Sequence, residues 1–211
     1  MFCNNLVLIY PATITLIAGF LIDRERNDDT LKNILTIPVS FRKLLVGKLV
    51  AVGCMAIVLS AVEFLFTIMI FLVSGFPGFT AAGAGKVLFQ MIGINLSAYL
   101  AVMPVIAFTA QRRGSFMAGV GFTFFYGFVG MMASGHGLRD IYPITAGLTL
   151  IGYDDGSGDF AGNSILSIGS LLIILGVTVV VIATAKNRER SAENKKRPRG
   201  KNVRGRKVRR R

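Results

Sequence analysis

Cysteine and histidine are nearly absent from this 211-residue chain, which has two of the first, Cys3 and Cys54, and one of the second, His136. The cysteines lack CxxC spacing and sit in or beside apolar runs, which argues against a disulfide framework or a zinc site and leaves buried free thiols as the expectation. The lone histidine, in the glycine-rich stretch SGHG, has no set of ligands around it. Ser134, His136 and Asp140 are close in sequence, but nothing positions them as a catalytic triad. No Lys or Arg precedes Arg24, so the first apolar run does not read as a secretory signal. A complete phosphate loop is lacking too. AAGAGKV (residues 81–87) has Thr80 where a glycine is needed and Val87 where Ser or Thr would hold magnesium, so the chain has no nucleotide site of its own.

Polar surface is also scarce. The composition is 53% hydrophobic with mean hydropathy +0.60, too apolar for a soluble domain of this size. Apolar runs of membrane-spanning length recur at about residues 6–22, 49–73, 87–110, 116–133 and 165–185. The fold class is therefore all-α, a polytopic helical membrane protein with about five transmembrane helices. Residues 1–185 form the membrane domain and residues 186–211 a basic tail.

The net charge of +13 belongs almost wholly to that tail, where 14 Lys/Arg face two acids. The remaining cations orient the spans. Six fall in residues 23–48, one (Lys86) in 74–86, two (Arg112 and Arg113) in 111–114, and one (Arg139) in 134–164 against four Asp. Rich and poor loops alternate, so 23–48, 111–114 and the tail are expected in the cytoplasm. Residues 1–5 then start outside, which implies a further helix ahead of them. Within the outer loop 134–164, residues 141–153 (IYPITAGLTLIGY) are apolar but too short to span. They read as a re-entrant or interfacial segment, with Tyr142 and Tyr153 at headgroup level. The following DDGSGD lacks calcium-loop spacing and reads as a solvated turn.

Two further signals admit two readings each. Glu63, mid-span, costs about 2.5–3.5 kcal/mol on insertion scales and must face protein or water. It either lines a substrate cavity or bonds across helices to Asn95 or Gln90. Gly119, Gly121, Gly127 and Gly130, interleaved with Phe122, Phe124, Phe125 and Phe128, serve close helix packing or line a substrate wall. The tail has no apolar periodicity and is expected to be disordered. Anionic lipid would bind it at roughly 1 kcal/mol per basic residue near the surface. RNA is a second partner class, although no aromatic residue is present for base stacking; a frame-shifted C-terminus is a third reading.

The hydrophilic island at residues 23–48 carries the most. Asp28 or Asp29 caps a helix start, and Leu31, Ile34 and Leu35 form an i, i+3, i+4 apolar stripe. Pro38 ends the element, and Ser40 caps the next helix, leaving Arg42, Lys43 and Lys48 at the interface. By pattern alone this is either an amphipathic helix resting on lipid or a docking helix for a cytoplasmic partner. The stretch FLIDRERNDDTLKNILTIPVSFRKLLVGKL resembles the first cytoplasmic loop of type-2 ABC-transporter permeases, in their lantibiotic-immunity and bacitracin-resistance branch. The residues that carry the resemblance are Glu25, Thr30, Leu31, Ile34, Leu35, Pro38, Val39, Ser40, Arg42, Lys43 and Lys48.

The resemblance implies a six-helix fold whose first helix precedes the 6–22 segment, and a permease subunit of an ATP-driven exporter. It implies an ATP-binding-cassette ATPase subunit docked on the island through Glu25, Thr30, Leu31, Ile34, Leu35 and Pro38, with ATP and magnesium held by that partner. It also implies a second permease subunit, identical or paired, and peptide antibiotics or other amphiphiles as substrates. The competing class is a non-ABC membrane protein, either a small secondary transporter using Glu63 or a passive immunity protein.

Overall fold

The computed structural model describes residues 5–27, 41–75, 80–112, 114–135, 138–152 and 162–185, and every regular element among them is helical. A single π-type turn (Asn5–Ile9) leads into α1 (Tyr10–Asn27). Then come α2 (Phe41–Val73), α3 (Ala81–Thr109), α4 (Phe116–Gly135), the short α5 (Pro143–Leu150) and α6 (Ser164–Thr184). All but α5 are long and apolar enough to cross a membrane, as the hydropathy pattern predicts.

The helix ends follow local chemistry. Thr80 caps α3 by accepting from the Gly83 N–H (3.2 Å), and Asn163 caps α6 by accepting from the Ile165 N–H (3.1 Å), each satisfying an orphan donor. Pro143 opens α5 at a position where a missing N–H costs nothing. Because α3 starts at Ala81, the glycines of AAGAGKV are wound into its first turns, and no phosphate-cradling loop exists there. α3 starts six residues before the expected span at 87, and α2 starts at Phe41, where the sequence places a helix start ahead of the apolar run at 49. α2 has 33 residues and a length of about 50 Å, well beyond the ~30 Å hydrocarbon core. The hydrophilic island therefore narrows, with α1 entering it to Asn27 and α2 leaving it from Phe41.

α3 is the hub and packs against every other helix of the bundle. Its membrane-length window is 56% buried, against 11% for that of α2 and 17% for that of α6, which places α2 and α6 at the periphery. Val50, Val58, Leu65, Phe66 and Ile70 of α2 are exposed. In hydrocarbon such a face is in its own solvent and needs no cover. Cys54 lies on this outward face as an exposed free thiol, contrary to the expectation of burial, because α2 offers only a narrow stripe to its neighbours.

Close approach between helices needs glycine at two places above all. A Cβ on Gly127 of α4 would run into the backbone carbonyl of Val7, and one on Gly147 of α5 would land on the Ser97 side chain of α3. Gly119 and Gly130 also meet neighbours, whereas Gly121 faces open space. Phe122, Phe124, Phe125 and Phe128 all point outward. The Gly/Phe pattern of α4 is therefore a packing face backed by a lipid-facing one.

Three contacts gather the helix ends. Arg42 Nε, at the start of α2, donates to the Ala185 carbonyl at the end of α6 (3.4 Å). Gly19 of α1 meets Phe116 at the start of α4, and Gly119 of α4 meets Thr109 at the end of α3. One end of the bundle thus collects the edges of the 28–40 connector, the 111–114 turn and the root of the basic tail. Arg42→Ala is expected to lower stability by about 1 kcal/mol. It removes a charged donor from a helix C-terminus, where the dipole favours a cation; thermal unfolding in detergent reads this out.

Candidate functional site

The sequence marks Glu63 as the sole acidic or basic residue inside the apolar spans, and the structure gives it a partner. Asn95, at the middle of α3 and fully buried, donates through Nδ2 to Glu63 Oε2 (2.8 Å) and to Ser60 Oγ (3.0 Å). Ser60, one turn before Glu63 on α2, is itself fully buried and donates to the Ala56 carbonyl (2.8 Å). The Tyr10 hydroxyl of α1 donates to the same carbonyl (3.2 Å). One polar knot therefore ties α1, α2 and α3 together at mid-span. Asn95 Oδ1 accepts no hydrogen bond from the described residues, an orphan acceptor worth about 1–3 kcal/mol of desolvation.

Of the three intramembrane polar residues singled out from the sequence, two meet. Gln90 does not join them: its Nε2 donates to the Ile151 carbonyl after α5 (3.4 Å). Its helical phase explains this, since it lies five residues from Asn95 and faces the α5 side of α3. The sequence reading missed Ser60 and Tyr10. Ser60 carried a signal, lying at i−3 from Glu63 on the same helix face, whereas nothing local marks Tyr10.

The apolar 141–153 segment does form an element too short to span. Residues 144–148 of α5 are buried, and Gly147 packs against Ser97, the seventeenth of the 29 residues of α3. Ile151 lies by Gly93, so α5 runs from the middle of α3 back toward its start, the geometry of a re-entrant segment. Tyr142 packs on α4. Its hydroxyl donates to the Tyr126 carbonyl within α4 (2.9 Å), and the two rings lie 4.9 Å apart. Tyr153 lies outside the described residues.

Asp140 is the brace of this re-entrant unit. Oδ1 accepts from Thr149 Oγ1 (2.5 Å) and Ser167 Oγ (3.4 Å), and Oδ2 accepts from the Asn163 N–H (2.6 Å). The carboxylate joins both ends of the α5 unit to the start of α6, where a helix N-terminus favours negative charge. Ser134 and His136 take no described part in it, and among the described residues no cluster of metal-ligating side chains occurs.

Thr30, Leu31, Ile34, Leu35 and Pro38 lie outside the described residues, as does the helix expected there. Glu25 falls in the last turns of α1. The structure does fix the two points from which that segment hangs, Asn27 and Phe41, at the same end of the bundle as Arg112 and Ala185.

A family model described as "ABC-2 family transporter protein" matches residues 1–130. This chain belongs to the ABC-2 transporter family. The bacitracin transport permease protein BCRB of Bacillus licheniformis is 32% identical over 131 residues, covering 62% of each chain. This ABC-2 chain thus matches under two thirds of that relative's length. No solved structure matches it. The family match encloses α1, α2, α3, most of α4, the polar knot and the whole 23–48 island. α5, the Asp140 brace and α6 lie beyond it.

Proposed function

We propose that this chain is the membrane-spanning permease subunit of an ATP-driven exporter. The observation that carries this reading is the family match over residues 1–130, which encloses a charged connector of docking-helix pattern between α1 and α2. In this reading the basic end of the bundle faces the cytoplasm, because cations are retained there during insertion. The C-terminal tail is then cytoplasmic, and its 14 basic residues hold anionic lipid of the inner leaflet.

An ATP-binding-cassette ATPase subunit docks on the connector, with Leu31, Ile34 and Leu35 as the apolar anchor and Glu25 and Thr30 at its rim. It binds ATP and magnesium and performs the hydrolysis; the permease is not itself the enzyme. A second permease subunit, identical or paired, completes the pathway. The likeness to a bacitracin transport permease supports peptide antibiotics or other amphiphiles as the substrate class.

The test is co-purification with candidate ATPases, followed by substitution of the anchor. Leu31→Asp and Leu35→Asp are expected to abolish ATPase association and to lower export by about tenfold or more, the equivalent of losing ~1.4 kcal/mol of docking energy. Export that survives these changes and ATP depletion, but collapses with the proton gradient, would instead favour a secondary carrier working through Glu63.

A further inference from the structure

Beyond the polar knot, α2 and α3 part toward the end of the bundle opposite the basic loops. Between them lies an open recess of about 240 Å³, walled by Phe64, Ile68 and Phe71 of α2 and Ala84 and Val87 of α3. Its length follows from the helix rise: Phe64 to Phe71 is seven residues, or about 10 Å. Its volume equals that of roughly eight water molecules.

The two polar side chains in the wall are engaged by their own helices. Thr67 Oγ1 donates to the Glu63 carbonyl (2.9 Å), and Thr80 Oγ1 accepts from the Gly83 N–H (3.2 Å). An extended peptide would bring backbone N–H and C=O groups into the recess with few partners, at several kcal/mol each. A hydrocarbon chain brings none. At the inner end, Phe64 is followed toward mid-span by Glu63, whose carboxylate is bonded to Asn95 and ties α2 to α3 there. At the flank, exposed Lys86 precedes Val87 and is the sole cation in residues 74–86. Helical side chains lean toward the N-terminus of their helix, which carries the Lys86 ammonium toward the start of α3.

We propose that this recess holds one acyl chain of an anionic lipid, with the lipid head group beside Lys86 and the chain end stopped at the Glu63–Asn95 bond. With the orientation given above, that lipid belongs to the outer leaflet. The site deepens the exporter reading by giving an amphiphile a place on the permease itself. The two fail separately, because binding is measured on the chain alone.

The experiment reconstitutes the full chain, without an ATPase, in nanodiscs. These contain phosphatidylglycerol with a diazirine near the end of one acyl chain, or phosphatidylcholine bearing the same chain, and labelled peptides are mapped by mass spectrometry. Labelling is expected to concentrate on residues 64–71 and 84–87, with phosphatidylglycerol exceeding phosphatidylcholine. Ala84→Phe and Val87→Phe, two independent ways to fill the recess, are expected to cut that labelling while thermal unfolding shows both variants folded. Lys86→Gln is expected to reduce the preference for phosphatidylglycerol about fivefold, the contribution of one basic residue near an anionic surface. Labelling spread evenly over α2, α4 and α6, indifferent to lipid class and to the filling substitutions, means bulk lipid only and overturns the proposal. Displacement of the label by a cationic peptide but not by unlabelled phosphatidylglycerol overturns it as well.

Discussion

Replacing Gly147 with valine should detach α5 from the bundle and cost about 3 kcal/mol of stability, the upper range for overpacking a filled interface. The cause is local and steric. A Cβ at Gly147 falls on the Ser97 side chain, and Ser97 has no room to yield, being buried and donating to the Ile94 carbonyl (2.8 Å). The neighbours of α5 on its other sides are held by Asp140, whose carboxylate binds Thr149, Ser167 and the Asn163 N–H. The whole re-entrant unit must therefore shift as one. Gly121 and Gly176 are the internal controls, since a Cβ at either meets nothing within 4 Å. Gly121→Val and Gly176→Val should then stay near wild type, within about 0.5 kcal/mol. Thermal unfolding in detergent compares the three directly. Equal behaviour of all three would mean that α5 does not press on the middle of α3. Gly147→Ala, the smallest step, should fall between them, because even one methyl group has to displace Ser97.

That dependence on a single glycine shows where sequence stops being readable. The spans were legible because hydrocarbon thickness imposes a length, and no residue pairing is needed to see it. Residues 141–153 were legible as non-spanning for the same reason. What the sequence could not show is that the segment meets α3 at Ser97, since Gly147 and Ser97 are fifty residues apart and neither is unusual alone. Arg42, Lys43 and Lys48 lie on α2, as the helix start read after Ser40 implies, because nothing from Phe41 onward breaks it. The boundary that erred is that of α3, which starts at Ala81 and not at 87, because its polar and small residues continue the helix ahead of the apolar run. Of the polar knot, Glu63 and Asn95 stood out because each is costly in hydrocarbon. Ser60 and Tyr10 did not, since both are ordinary in membrane helices. Leu31, Ile34, Leu35 and Pro38, the proposed docking residues, lie outside the described residues and are read from the sequence pattern and the resemblance.

Asn95→Leu is expected to destabilise the chain by about 2–3 kcal/mol, because it leaves the Glu63 carboxylate without its charged hydrogen bond at mid-span. Glu63→Gln should cost far less. A glutamine carbonyl still accepts from Asn95 Nδ2, and its NH₂ group carries the donors that Asn95 Oδ1 lacks. The double replacement Glu63→Leu/Asn95→Leu should recover most of the loss, since removing both partners leaves no buried group unsatisfied. The cycle is closed by equilibrium unfolding of the parent, Glu63→Leu, Asn95→Leu and the double variant, and a coupling energy near zero would mean that the bond does not hold α2 to α3. Glu63→Gln separates fold from transport. If Glu63 serves as a clasp between helices, the charge is dispensable, and Glu63→Gln exports substrate within about twofold of the parent, a change below 0.5 kcal/mol. If the carboxylate instead meets a cationic group of the substrate, Glu63→Gln stays folded and loses export. The short bond to Asn95, with Ser60 and Tyr10 completing the knot behind it, favours the clasp.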